Sequence, residues 1–224
     1  VAHDGLQELR PGDRVSVMVF STEARVVAPF SADFREVEEA IHRVLSLDFG
    51  GGTRIQDSIY AASHCFLRDK AQEHRRRAVL VVTDDFGRPS HRKTSIVENL
   101  WEADAVVCGL VVPNPAVRIL APLSGAVPGR IGGMEDLVEK TGGDIIHSGH
   151  LEKTFPEMMH RIRSRYTLYY RLPEGEVGSL RTIDVQLSER GRRHYPRARV
   201  VAQRGYRLQG RDRYGFATRE LNHQ

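Results

Sequence analysis

Short apolar segments alternate with amphipathic segments over the first two thirds of the chain. Residues 15–20 and 24–30 are largely apolar and flank a three-residue polar turn, which predicts an antiparallel hairpin. Continuous apolar runs at 78–82 and 106–112 predict strands that are covered on both faces, and 145–146 predicts a shorter strand. The intervening segments carry apolar residues at helical spacing. We therefore predict an α/β fold with a doubly wound, mostly parallel sheet and helices on both faces.

The predicted helices carry local signals at their ends. Asp33 is placed to cap one helix, and a second helix follows Thr53. A short helix at 135–140 is expected to stop at Gly142, because glycine readily adopts the left-handed conformation that ends helices. Apolar residues at helical spacing predict two further helices, around 96–101 and 155–162.

The pattern changes after residue 165. Segments 166–172, 182–187 and 198–201 alternate with a period of two and are separated by glycine-rich or charged turns, which predicts a small antiparallel unit. We therefore divide the chain into an α/β domain at 1–165, an antiparallel extension at 166–208 and a flexible polar tail at 209–224. The connection at 114–134 is long enough to be either functional or a surface excursion.

Composition and charge exclude several classes of protein. The 224 residues are 40% hydrophobic, enough for one sizeable core, and no apolar run is long enough to span a membrane. The net charge is +4, but the chain from Arg161 onwards has 15 basic and 6 acidic residues. We interpret this as an arginine-rich solvated surface, because it lacks the aromatic spacing of a base-stacking platform, and we predict no specific nucleic-acid partner. The two cysteines, Cys65 and Cys108, do not form a disulfide framework, and both are expected to be small buried hydrophobic residues.

Two polar residues are predicted at one edge of the sheet. Thr53 follows a run of glycines and opens a helix, and Asp84 ends a central strand, so both should lie beyond the carboxyl ends of the strands, where open α/β sheets bind ligands. A hydroxyl and a carboxylate are hard oxygen ligands of the kind that Mg²⁺ takes. Each residue also has a structural explanation, Thr53 as a helix cap and Asp84 as a turn residue.

Three segments occur in a fixed order along the chain. Residues 10–14 (RPGDR) lead into the first strand, 50–53 (GGGT) open a helix, and 83–85 (TDD) close a buried strand. Together they resemble the von Willebrand factor type A (VWA) domain, in the form found in bacterial VWA-related proteins. The family's first strand and its Asp-x-Ser-x-Ser loop have no counterpart in this sequence. The resemblance covers the chain from about residue 9 to about residue 206.

The resemblance implies a metal-ion-dependent adhesion site. Its threonine ligand would be Thr53 and its aspartate ligand Asp84, with Gly51, Gly52 and Asp85 at the rim. The implied cofactor is Mg²⁺ or Mn²⁺, held weakly or not at all without the missing loop, and the implied partner is a protein whose acidic side chain completes the metal shell. The family resemblance also implies export to the periplasm or cell surface and a non-enzymatic role.

Two other functions remain open from the sequence. The first is a metal-free scaffold that binds proteins through surface shape. The second is a Mg²⁺-dependent enzyme that acts on phosphoesters through Asp84 and Asp85. Turnover of phosphoesters would distinguish this enzyme from the two binding functions. A sheet without its central first strand would expose unpaired edges and an incomplete core, so we also expect marginal stability.

Overall fold

The structure, a computed structural model, describes residues 2–44, 52–69, 76–86, 93–114, 133–171, 173–208 and 216–223. Most of the predicted connection at 114–134 lies outside these ranges, as does Gly51. The described helices are α1 (Ala2–Gln7), α2 (Phe34–Val44), α3 (Ile55–Arg68), α4 (Lys93–Glu102), α5 (Met134–Thr141), α6 (Leu151–Arg163) and α7 (Glu189–His194). The described strands are β1 (Val15–Phe20), β2 (Ala24–Ser31), β3 (Arg77–Thr83), β4 (Ala105–Val111), β5 (Ile145–His147), β6 (Tyr166–Arg171), β7 (Leu180–Thr182), β8 (Val200–Ala202), β9 (Gly205–Arg207) and β10 (Phe216–His223).

A parallel sheet with strand order β3-β4-β5 lies at the centre of the α/β part. Every residue of β4 is buried, as its continuous apolar run predicts. One face of this sheet packs against α3, α4 and α5 through residues such as Ile59, Leu100 and Leu137. The other face packs against α6 through Met158. The predicted α/β fold with helices on both faces is therefore confirmed.

The hairpin and the helix ends follow their local signals. Strands β1 and β2 pair in antiparallel fashion. The Oδ1 atom of Asp33 accepts hydrogen bonds from the backbone N–H groups of Arg35 and Glu36, at 3.1 and 3.2 Å, and so caps α2. Helix α5 ends at Gly142, whose φ of 73° lies in the left-handed region.

The C-terminal part differs from its predicted pattern. The predicted strand at 182–187 is wrong: β7 covers Leu180–Thr182, and it pairs with β9. We expected a flexible tail from residue 209, but β10 pairs there with both β6 and β8. Polar strands of this kind give little periodic signal, and their pairing comes from partners that are distant in sequence. The boundaries at 165 and 208 stay predictions.

A slot separates β1 from β3. Within the described part of the chain, β1 pairs only with β2 and β3 only with β4, so each strand has an open edge. A cavity of about 1070 Å³ lies between them, lined by all of β1 and by residues 76–82. In contrast with β4, all of β1 and the first four residues of β3 are only partly buried. We call this cavity the β1–β3 slot.

None of the described helices is both long and apolar enough to cross a membrane.

Candidate functional site

Thr53 lies where β1 ends and α3 begins. The backbone N–H of Arg54 donates a hydrogen bond to the carbonyl of Ser21, the first residue after β1, at 2.9 Å. Gly52 has a φ of 103°, and a Cβ atom there would lie 3.0 Å from Thr22, so this turn needs glycine. The N-cap residue of α3 is Arg54, with no side-chain capping bond. The alternative explanation of Thr53 as a helix cap is therefore wrong.

Asp84 lies directly after β3 and is held by two hydrogen bonds. Its Oδ1 accepts from the backbone N–H of Phe86 at 3.1 Å, and its Oδ2 accepts from Nδ2 of Asn114 at 2.7 Å. Asn114 follows β4, and the two strand ends are joined further by a backbone bond from Val112 to Thr83. An ionised carboxylate has about four lone-pair sites. Asp84 can therefore keep both bonds and still accept another partner.

Asp85 is more deeply buried than Asp84. Asp85 is only 5% exposed, and its Oδ1 has no hydrogen-bond partner within the part of the chain that the structure describes. The pKa of Asp85 is raised to about 6, mainly by burial and also by the negative charges of Glu135 and Asp84. Its φ of 52° is uncommon for a residue with a side chain, although aspartate tolerates it better than most. The position predicted at the rim thus holds a buried acid, one oxygen of which has no partner among the described residues.

The first turns of α3 and α5 meet beside these acids. Gln56 is 2% exposed, and a Cβ atom at Gly133 would lie 2.0 Å from its Nε2 atom. Gly133 immediately precedes α5, whose first turn carries Glu135. Helix α3 also begins where β1 ends. This packing therefore places the first turns of α3 and α5 at the same end of the sheet as the ends of β1 and β3.

The predicted site residues lie in two neighbouring segments and gain two further polar residues. Asp84 bonds Asn114, the charge of Glu135 acts on Asp85, and Thr53 lies in the turn between β1 and α3. Gly51 lies outside the described residues. Among the residues that the structure describes, no three acidic, histidine or cysteine side chains are grouped closely enough to hold a metal ion. A metal ion bound by Asp84 would therefore need further ligands from Thr53, from water and from a partner protein.

Sequence reasoning missed Asn114 and Glu135. Asn114 could have been found, because it is a polar residue just beyond a buried strand at the ligand-binding edge of the sheet. Glu135 had no such signal: an acid in the first turn of a helix is usually explained by the helix dipole. Its proximity to Asp85 depends on how α5 packs.

Comparison with protein families identifies the N-terminal part of the chain. The profile described as "von Willebrand factor type A domain" matches residues 2–87, which include α1, the hairpin, Thr53 and Asp84. This region, less than half of the chain, is therefore similar to von Willebrand factor type A domains. The match ends just after β3, so for β4 and β5 the likeness rests on the solved structures described next. A comparison with curated proteins returned no match.

Solved structures share the fold at low sequence identity. BatB from Bacteroides thetaiotaomicron, a conserved hypothetical protein, is 22% identical with a TM-score of 0.51; the match covers 72% of this chain and 85% of BatB. An aerotolerance-related membrane protein from Bacteroides fragilis is 16% identical with a TM-score of 0.50, covering 71% and 85%. A von Willebrand factor type A protein from Catenulispora acidiphila is 14% identical with a TM-score of 0.55. That match covers 98% of this chain and 50% of the Catenulispora protein. At these identities the likeness shows that this chain has the VWA fold.

Proposed function

We propose that this VWA domain is a protein-interaction module that binds a divalent cation at the carboxyl end of its sheet. Mg²⁺ or Mn²⁺ would be held by Asp84 and Thr53, and an acidic side chain of the partner protein would complete the metal shell. The observation that carries the proposal is the unpaired, buried Oδ1 of Asp85 beside Asp84. A buried carboxylate without a partner is costly, and a cation nearby would offset that cost.

The donor set fits a weakly held cation. Asp84 has free lone pairs, Asp85 and Glu135 add negative charge, and Asn114 fixes one oxygen of Asp84. These are oxygen ligands of the kind that Mg²⁺ accepts, and Mg²⁺ commonly keeps several of its waters. The rest of the shell would be water and a partner's carboxylate, so the protein alone should bind in the millimolar range and the partner should tighten binding.

A Mn²⁺ titration tests the metal site directly. Bound Mn²⁺ loses its free-ion electron paramagnetic resonance signal, and we expect saturable binding at about pH 7.5. Asp84→Asn should abolish this binding, and Thr53→Val should weaken it. Asp57→Asn is the matched control, because Asp57 lies in the first turn of α3 but pairs with Arg54 at 3.4 Å. Circular dichroism of each variant checks that the fold is intact.

The same variants separate the metal-dependent module from a metal-free scaffold. Proteins retained by the immobilised domain in Mg²⁺ should elute with EDTA, and Asp84→Asn should not retain them. Retention that survives both EDTA and Asp84→Asn would refute the metal-dependent contact and support the scaffold. We also propose that the module works in an exported or membrane-associated setting, as the description of the B. fragilis relative as a membrane protein suggests.

A further inference from the structure

Residues 187–199 form a turn of nearly one sign of charge, which contains the short helix α7 and leads into β8. The segment has five arginines and a single acid, Glu189. We call this segment the arginine turn. Protein surfaces ordinarily intersperse charges of both signs, so a segment with this imbalance needs an explanation. All five arginines are exposed: Arg190, Arg192, Arg193, Arg197 and Arg199.

Four of these five arginines have no carboxylate partner within the described part of the chain. The fifth, Arg193, pairs with Glu189 at 3.3 Å, but both side chains are about 80% exposed, so this ion pair contributes little. Elsewhere in the C-terminal part, arginines lie beside at least one carboxylate, as Arg163, Arg204 and Arg207 do. The guanidinium groups of the arginine turn are therefore available to a partner outside the chain.

The backbone of the arginine turn is held in place by its own hydrogen bonds. The Ser188 hydroxyl accepts from the backbone N–H of Gly191 at 3.1 Å, and the Ser188 carbonyl accepts from that of Arg192 at 2.8 Å. The carbonyl of Gly191 accepts from the backbone N–H of Tyr195 at 2.8 Å. Because the backbone is already ordered, binding would cost mainly the freedom of the arginine side chains.

An aromatic side chain lies among these cations. Tyr195 is 53% exposed, and its ring packs edge-on against His194 with the centroids 4.6 Å apart. Tyrosine has an apolar body and a polar tip, and it is enriched where lipid head groups meet the hydrocarbon of a membrane. The arginine turn thus combines unpaired cations with a side chain suited to that boundary.

This combination favours a lipid surface over a protein as the partner. A protein partner usually buries an apolar centre surrounded by a polar rim, but Tyr195 alone among the described residues of the arginine turn exposes a large hydrophobic side chain. The guanidinium group binds phosphate through two parallel hydrogen bonds. Lipid phosphates can move sideways to meet each cation, and clusters of about four to eight basic residues are typical of proteins that bind anionic lipids.

We propose that the arginine turn binds the anionic surface of a phospholipid membrane. The arginines would contact lipid phosphates, and Tyr195 would lie at the level of the head groups. This inference goes beyond the function proposed above, because it uses no residue of the metal site.

Sedimentation of the full chain with lipid vesicles tests the proposal. The vesicles contain equal parts of phosphatidylglycerol and phosphatidylcholine, and EDTA removes divalent cations that could bridge protein and lipid. We expect saturable binding to these vesicles and little binding to vesicles of phosphatidylcholine alone. Raising the salt from about 50 to about 300 mM should weaken binding by about tenfold or more, because the screening length shortens.

Two matched double variants locate the contact. Arg192→Gln/Arg197→Gln should weaken vesicle binding by about 25-fold, since each basic residue near an anionic surface contributes about fivefold. The control, Arg25→Gln/Arg35→Gln, removes the same charge from two exposed positions on β2 and α2 and should stay within about twofold of the wild type.

Two single variants separate the membrane from other partners. Tyr195→Ser should weaken vesicle binding by at least about twofold, because it removes the interfacial ring, and Asp84→Asn should leave it unchanged. Equal binding to neutral vesicles, an equal loss in the control variant, or no saturable binding would each overturn the proposal. Tighter binding to soluble polyglutamate or to duplex DNA than to these vesicles would also overturn it, and would assign the arginine turn to an acidic protein or a nucleic acid.

Discussion

Replacing Asp85 by asparagine should stabilise this protein at neutral pH and leave it little changed in acid. The carboxylate of Asp85 is buried, its Oδ1 has no partner, and burial with two neighbouring acids raises its pKa from 3.8 to about 6. Asparagine has nearly the same shape and tolerates the left-handed backbone at φ 52°. The substitution therefore removes the charge with little other change.

The magnitude follows from the difference between the folded and unfolded pKa values. The folded state holds the Asp85 proton up to about pH 6, while the unfolded state loses it near 3.8. The wild type therefore loses stability as the pH rises from about 4 to about 6.5, and the full cost above that is about 3 kcal/mol, at about 1.4 kcal/mol for each pH unit. A buried amide has its own cost of about 1–3 kcal/mol, but this cost does not vary with pH.

Urea denaturation of both proteins between about pH 4.5 and 8 measures this effect. The stability of Asp85→Asn relative to the wild type should rise by about 2 kcal/mol across this range, because about 1 kcal/mol of the cost is already present at about pH 4.5, and this rise shifts the relative midpoint by about 1 M urea. Glu135→Gln removes one cause of the raised pKa of Asp85. In the wild-type background it should therefore reduce the loss of stability at neutral pH. Asp57→Asn, which loses an exposed ion pair with Arg54, should show no comparable gain at pH 8. A difference between Asp85→Asn and the wild type that stays constant with pH would refute the reasoning.

Three further predictions concern the core and the thiols. Thr141→Val should lower the free energy of unfolding, measured in urea, by about 1–3 kcal/mol. The fully buried Thr141 hydroxyl accepts a hydrogen bond from the backbone N–H of Val107 at 3.0 Å and donates one to the carbonyl of Leu137 at 2.8 Å. Thr141→Ser keeps the hydroxyl and should recover part of the loss. Gly143→Ala should cost more than about 3 kcal/mol, because the new Cβ would lie 1.7 Å from the carbonyl oxygen of Val107 in the central strand; a soluble, equally stable variant would contradict the packing of α5 on β4. An alkylating reagent should modify Cys108 only after unfolding, because burial raises the pKa of this thiol to about 11. Mass spectrometry would detect the modification, and rapid labelling of Cys108 in the native protein would contradict its burial.

The sequence by itself determined the local elements of this protein. The apolar run of β4 was identified because a strand covered on both faces needs apolar residues at every position. The cap at Asp33 and the stop at Gly142 were found for a similar reason, since both depend on hydrogen bonds and dihedral angles within a few residues. The order of these elements indicated an α/β fold, and the motifs at 10–14, 50–53 and 83–85 carried the resemblance to the VWA domain, which the comparisons support.

Only the tertiary structure decided how distant residues combine. The bond between Asp84 and Asn114 depends on the parallel pairing of β3 and β4, and the raised pKa of Asp85 depends on how α5 places Glu135 beside it. The burial of Asp85 has no signature in its local sequence.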